Sequence, residues 1–242
     1  MSETKAVTTR PALFFDFDNT ITQGDVLDRV IERFSITEDW RRWEDAWTRG
    51  DISTEQCLAR QVAGLRVSKA ALLDFVADFP VDPNFGTIVS WAASEQIELA
   101  IVSDNFSCLV REIVARQAFP ELPLFANELT FVRDRPKAYF PFKSPDCARC
   151  ANCKVEHFKR FPGRSTIYVG DGLSDVCPAL AADLVFAKDS LAAYLGDRGV
   201  RFEPFTSLES VADFLLGEVS STTVSKLGSR RPRAGVPALD VE

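Results

Sequence analysis

The ten residues at 13–22, Leu-Phe-Phe-Asp-Phe-Asp-Asn-Thr-Ile-Thr, restrict this chain more than any other stretch. An apolar run stops at two aspartates with one residue between them, and short apolar runs bounded by turn formers read as buried strands. In open α/β sheets the ligand crevice lies just beyond the carboxyl ends of the strands. Asp16 and Asp18 therefore stand together at the mouth of a sheet. Neighbouring carboxylates repel and raise each other's pKa. A hard divalent cation relieves that repulsion, and carboxylate oxygens suit magnesium. Taken without its surroundings, the stretch also reads as a strand followed by a polar turn, because Asp, Asn and Thr are common turn residues.

The 242 residues can bury one domain with an insertion. Hydrophobic content of 46% and charged content of 26% fit a globular protein. A net charge of -7 speaks against a nucleic-acid partner, whose footprint is basic. No apolar run reaches bilayer-spanning length, and residues 1–10 lack the apolar core of a signal peptide. The expectation is a cytoplasmic protein with neither nucleic acid nor membrane as partner. Its six cysteines, Cys57, Cys108, Cys147, Cys150, Cys153 and Cys177, would then be thiols unless a metal holds them. The one histidine, His157, rules out a two-histidine zinc hydrolase and leaves any Ser-His-Asp triad a single candidate base.

Along the chain, residues 1–10 read as a disordered lead and 12–16 as strand one. Asp25 can cap a helix whose apolar residues Val26, Leu27, Val30, Ile31 and Phe34 recur at helical spacing. Helical pattern continues to about residue 84, with segments at 37–47, from Ser53 with Gln56 as capping-box partner, and at 69–79. A connection this long and structured is an inserted helical unit rather than a loop. Trp40, Trp43 and Trp47 share one helical face. They read either as packing within the insertion or as an aromatic wall facing a cationic substrate group. Then follow a helix at 85–96, a strand at 97–102, a helix at 106–118, β segments at 124–132 and 138–142, and a helix at 152–161. Next come a strand at 166–169, a helix at 175–182 capped by Ser174, a strand at 184–187, and helices at 190–195 and 207–217. Residues 221–242 read as a disordered tail, with Arg230, Arg231 and Arg233 as a small basic patch. No internal repeat is present.

Strands alternating with helices imply a doubly wound parallel sheet. Such a sheet gathers Asp16, Asp18, Ser103, Lys154, Asp171 and Asp175 at one edge. In order, the chain carries Asp-x-Asp-x-Thr, a Ser after strand two, a Lys, and Gly-Asp-Gly-x-x-Asp. This set resembles the four motifs of the haloacid dehalogenase (HAD) superfamily of phosphohydrolases. The resemblance implies an α/β, HAD-like Rossmannoid core at 11–24 and 84–220, with a small helical type-1 cap at 25–83 inserted after strand one. It implies Asp16 as nucleophile forming an aspartyl-phosphate, and Asp18 as general acid and then base. Ser103, with the amides of Asp104 and Asn105, and Lys154 would bind phosphate; Lys137 and Lys143 are the rivals of Lys154. Magnesium (Mg2+) would be held by the Asp16 carboxylate, the Asp18 carbonyl and the Asp171 carboxylate, with Asp175 in its shell.

The run Cys147-Ala148-Arg149-Cys150-Ala151-Asn152-Cys153-Lys154 resembles two HAD groups. One is the methionine-salvage phosphatases acting on 2-hydroxy-3-keto-5-methylthiopentenyl-1-phosphate, which Val185-Phe186-Ala187-Lys188-Asp189 also resembles. The other is the phosphoethanolamine/phosphocholine phosphatases, which Ser103-Asp104 resembles more than the Ser-Gly-Gly of the first group. Asn19 replaces the Gly frequent in the first motif. Cys147, Cys150, Cys153 and His157 have the spacing of a Cys3His zinc set, although consecutive two-residue gaps leading into one helix make convergence hard, and thiols are the preferred reading.

The sequence thus predicts a magnesium-dependent phosphomonoesterase for a small phosphorylated metabolite, as monomer or homodimer, with Asp25 a candidate substrate contact or simply a helix cap. The alternatives are a phosphotransferase and a non-catalytic, aspartate-phosphorylated magnesium-binding switch.

Overall fold

The computed structural model describes residues 10–218. The expected disordered lead up to residue 9 and the tail with Arg230, Arg231 and Arg233 lie outside the described residues.

The chain builds one seven-stranded sheet in the order β4-β3-β2-β1-β5-β6-β7. Its strands are β1 (Ala12–Phe15), β2 (Glu98–Phe106), β3 (Leu124–Val132), β4 (Arg135–Tyr139), β5 (Thr166–Gly170), β6 (Leu184–Ala187) and β7 (Glu203–Pro204). Every pairing is parallel except β3 with β4. From β1 the chain winds outward through β2 and β3, then returns to β5 on the other side, which makes β1 the switch point where ligand crevices form. The doubly wound α/β architecture expected from the alternating elements is the one observed.

β1 is buried along its whole length because an inner parallel strand is covered on both faces. Its side chains alternate. Leu13 and Phe15 join the larger apolar cluster with Leu99, Ile101, Ile167 and Val169, while Phe14 joins Ala100, Val102 and Tyr168 on the opposite face. Phe14 packs on Phe158 at 4.5 Å, and Phe15 on Phe85 at 5.4 Å, between ring centroids.

Between β1 and β2 lie α1 (Val26–Phe34), α2 (Asp39–Thr48), α3 (Thr54–Ala63), α4 (Lys69–Val76) and α5 (Pro83–Ser94). Local signals set their starts. Asp25 caps α1 through the Asp28 amide, Ser53 and Gln56 form the expected capping box on α3, and Ser68 caps α4. The buried face of α1 (Val26, Leu27, Val30, Ile31) belongs to the same apolar cluster as Phe15 and Phe17, so the insertion shares its core with the sheet. A second tie crosses on the far side: the Thr54 amide donates to the Arg149 carbonyl at 2.8 Å, and Lys143 pairs with Glu55.

The remaining helices are α6 (Ser107–Val114), α7 (Lys154–Phe158), α8 (Val176–Ala181), α9 (Asp189–Asp197) and α10 (Leu208–Glu218). Several boundaries differ from those expected. β2 runs on through Ser103-Asp104-Asn105, with its pairing to β3 irregular after Val102, because Asn127 satisfies the Asp104 carbonyl there. β4 starts at Arg135 rather than 138: Pro136 reads as a breaker, but an edge strand tolerates proline. Ser174 does not cap a helix. A 3-10 turn, Leu173–Asp175, precedes α8, and the Asp175 carboxylate folds back onto the Asp171 and Gly172 amides. β7, two residues long, has no sequence signal. Among the described residues no helix is long and apolar enough to cross a membrane.

Candidate active site

The carboxyl ends of β1, β2 and β5 bring the six expected polar residues to one edge. Asp16 extends β1 by one residue, its amide donating to Val169 at 2.9 Å. Its Oδ1 accepts from the Lys154 ammonium at 2.6 Å, and the same ammonium lies 2.6 Å from Asp175 Oδ1. Lys154 opens α7 and is only 2% exposed, which separates it from its rivals: Lys137 is exposed on β4, and Lys143 is turned to Glu55. Burial works against the Lys154 charge, but Asp16 and Asp175 lift its pKa well above the ordinary lysine value.

Asp175 organises this centre. Its Oδ1 also accepts from the Tyr168 hydroxyl at 2.6 Å, and its Oδ2 accepts from the Asp171 and Gly172 amides at 3.0 and 3.1 Å. Gly170 makes room for it, since a Cβ there would lie 2.6 Å from Asp175 Oδ2. Asp171 accepts from Asn19 Nδ2 at 2.8 Å and Thr20 Oγ1 at 3.0 Å. Asn19 has φ +51°, the left-handed conformation that Asn tolerates better than most residues, which accounts for its standing where glycine is frequent.

Asp18 faces a different neighbourhood. Its carboxylate accepts from Val26 N at 2.9 Å, where α1 begins, and from Asn105 Nδ2 at 2.9 Å to both oxygens. Burial outweighs these donors and raises its pKa to about 6. Asp171 is also raised to about 6, by burial first and then by Asp175. Burial, with repulsion from Asp175, pushes Asp16 well above the usual carboxylate range.

Ser103 is fully buried, and its Oγ accepts from the Asn105 amide at 3.0 Å. Asp104 Oδ1 accepts from the Asn152 amide at 3.0 Å, and Asn105 holds Asp18. The side chains of Asp104 and Asn105 are thus bonded to neighbouring elements, while Ser103 Oγ stays bonded within β2.

Asp16 and Asp175 share one ammonium, and Asp18 and Asp171 stand at the same sheet edge. Asp16, Asp171 and Asp175 each offer an oxygen within 4.8 Å of the others, the one such grouping of potential metal ligands among the described residues. An all-oxygen, anionic donor set fits magnesium. The Asp18 carboxylate stands outside the triad. The Cys3His arrangement does not assemble. His157 Nε2 lies 2.7 Å from Asn152 Oδ1, its Nδ1 accepts from Arg160, and the Cys150 thiol faces Cys147 and Cys177.

A cavity of about 170 Å³ opens above this cluster, between the sheet edge and helices α1–α3. Asp25 lines it while capping α1, so both readings of that residue hold geometrically. Burial, then Asp18 and Asp28, push its pKa up to about 9. Glu44 and Gln61, which carried no distinct motif, also line the cavity, as does Trp47. The tryptophan stripe splits: Trp47 faces the cavity, Trp40 packs on the apolar cluster, and Trp43 lies under Arg60.

The family model described as Putative Phosphatase matches residues 12–193. The chain is 27% identical over 186 residues to the 2-hydroxy-3-keto-5-methylthiopentenyl-1-phosphate phosphatase of Brevibacillus brevis, covering 74% of this chain and 83% of that one. It is 22% identical to the phosphoserine phosphatase of Mus musculus, covering 86% and 92%. Its fold matches a substrate-bound phosphoserine phosphatase complex with a TM-score of 0.66 at 16% identity, covering 85% and 98%. It also matches a phospho-aspartyl intermediate analogue of phosphoserine phosphatase, with a TM-score of 0.65 at 18% identity, covering 85% and 99%.

Proposed function

The chain belongs to the Putative Phosphatase family, within the HAD phosphatases, and from that premise we propose that it is a magnesium-dependent phosphomonoesterase working through an aspartyl-phosphate. It is a phosphoric monoester hydrolase for a small phosphorylated substrate. The observation that carries the finer reading is the buried Lys154 ammonium shared at 2.6 Å by Asp16 and Asp175, directly below the cavity.

In this reading Asp16 attacks phosphorus as the bond to the leaving oxygen breaks. Asp18, with a pKa of about 6, gives its proton to that oxygen. It then takes a proton from water, which attacks phosphorus and releases Asp16. Ser103 and Lys154 hold the phosphate oxygens and offset their charge. Asp16 and Asp171 would hold magnesium, with Asp175 beside them and the Asp18 carbonyl as a further donor. The ion supplies positive charge that lets an anionic nucleophile approach an anionic ester. Residues 25–83 act as the cap over the leaving group and exclude water.

Among the described residues no lysine or arginine lines the cavity, while Asp25, Asp28 and Glu44 do. A leaving group bearing a carboxylate, as in phosphoserine, would meet no counter-charge. The lining favours an amino-alcohol phosphate such as phosphoethanolamine or phosphocholine, with Trp47 beside the cation, and next a neutral group such as that of the methionine-salvage ester.

Hydrolysis of these esters and of para-nitrophenyl phosphate with added magnesium tests the reading. Asp16→Asn should abolish phosphate release while leaving the fold intact. Retained activity in that variant would exclude an Asp16 intermediate. Transfer of phosphate to an added alcohol in preference to water would replace hydrolysis by phosphotransfer.

A further inference from the structure

Asn152 and His157 have no role in the chemistry above, yet both are buried to 1% exposure. Asn152 lies two residues before Lys154, in a loop without regular structure. Its side-chain Nδ2 donates to the carbonyls of Ser103 and Phe125, each at 2.8 Å. Its amide donates to Asp104 Oδ1 at 3.0 Å. The bonds to Ser103 and Asp104 tie the loop carrying Lys154 to the end of β2 carrying Ser103, and the bond to Phe125 ties it to β3.

The orientation of the Asn152 amide is fixed from both sides. Two carbonyl oxygens need donors, so the NH2 group faces them. On the other side the Oδ1 lies 2.7 Å from His157 Nε2, which must therefore carry a proton. Arg160 Nε donates to His157 Nδ1 at 3.4 Å, consistent with the same neutral tautomer. The ring is held in place by Phe125, stacked at 4.3 Å, and by Phe142, edge-on at 4.9 Å.

We propose that Asn152 is a positioning residue that sets the separation between the two phosphate-binding groups, Ser103 and Lys154, and that His157 is the donor that keeps its amide in register. The proposal rests on the phosphatase reading and adds to it a function for the lone histidine and for the asparagine of the cysteine run. It also accounts for Asp104, whose carboxylate serves the Asn152 amide rather than the phosphate. Catalysis by positioned groups is sensitive to displacements on the scale of one ångström, at a cost of up to about a hundredfold in rate.

Three variants separate positioning from packing. His157→Phe keeps an aromatic ring for Phe125 and removes the donor. His157→Gln loses the ring but can present an amide N–H near the Nε2 position. Asn152→Ala removes the tie itself. With para-nitrophenyl phosphate and magnesium, kcat should fall about tenfold to a hundredfold in Asn152→Ala and His157→Phe. In His157→Gln it should stay within about threefold of the parent. Amide exchange in residues 103–106 and 147–158 should quicken in the first two variants and not in the third. That readout needs no turnover, so it stands even if the parent hydrolyses none of the esters. Equal loss in the Phe and Gln variants, or unchanged exchange in His157→Phe, would overturn the proposal. The His157 pair carries the test if Asn152→Ala does not fold.

Discussion

Asn105 and Asp18 meet through a single amide nitrogen, Nδ2 of Asn105 lying 2.9 Å from each carboxylate oxygen. A donor shared by both oxygens fixes the plane of the carboxylate and favours its ionised form. The start of α1 acts in the same direction, through Val26 N and the positive end of the helix. Asp18 is thus held near a pKa of about 6 by donors that partly offset its burial. Asn105→Ala should raise that pKa further, because a favoured anion loses its partner. With Asp18 as the acid that must be protonated before the leaving oxygen departs, a shift of one unit would raise the competent fraction about twofold at pH 6 and about ninefold at pH 8, so the alkaline limb of the profile should move up by about one unit. A pH–rate profile of parent and variant checks this; identical profiles would mean that Asn105 does not tune Asp18.

Lys154 is the ammonium that Asp16 and Asp175 share, so removing it leaves both carboxylates buried without their counter-charge. Breaking a buried pair of this kind costs about 3–5 kcal/mol. Lys154→Met should lose that much stability in urea unfolding as well as activity. A variant as stable as the parent would show that the charges had neutralised each other by proton transfer.

Magnesium should stabilise the protein more at high pH than at low. Asp18 and Asp171 are both raised to about 6 from the ordinary 3.8. Without metal the folded state therefore holds protons more readily than the unfolded chain. The stability this contributes is fully present below 3.8 and is lost as pH rises through 6. A divalent cation at the triad replaces the proton on Asp171, so its thermal shift should grow between pH 5 and pH 8. A shift independent of pH would place the ion away from these carboxylates.

His157 has the opposite sign. Burial, then Arg160, lowers its pKa from 6.5 to about 4. The unfolded chain takes up a proton below 6.5 while the folded state does not, so stability falls as pH drops from 6.5 to 4 and levels off below. The loss is on the order of 3 kcal/mol for a side chain this deeply enclosed. Comparing unfolding of the parent and His157→Gln across that window isolates it, because the carboxylates are common to both.

Glu44 is held toward the cavity by Gln61 Nε2 at 2.9 Å, with Trp47 on the same helix. Glu44→Gln should raise KM for phosphoethanolamine by about tenfold, the worth of one partly exposed charge contact, and change that for a neutral ester much less. Equal effects on the two esters would remove the electrostatic reading of the cavity wall.

Much of this was legible because several of the candidate positions sit at strand ends, where an apolar run gives way abruptly to polar residues. Asp16, Ser103 and Asp171 were found in that way, and the order of the motifs supplied Lys154 and Asp175. What stayed hidden depends on tertiary partners. The side chains of Asp104 and Asn105 bond to Asn152 and Asp18, far apart in the sequence, and no local pattern announces those partners. Ser174 looked like a cap, and the 3-10 turn lets Asp175 take the nearby amides instead. The zinc spacing at Cys147, Cys150, Cys153 and His157 was real as spacing, but spacing says nothing about the direction in which a buried imidazole points. Glu44 lay on a helix with no fully buried residue, so only the cavity singles it out, and the cavity also decides between the two readings of the tryptophan stripe for Trp47.

The bond from the Thr54 amide to the Arg149 carbonyl fastens the first turn of α3 to the loop that ends in Lys154. A swing of α3 away from the sheet must either sever that bond or drag the loop with it. In the second case, admitting a substrate and loosening the grip on the nucleophile become one mechanical event, and the ammonium reseats only when the entrance shuts.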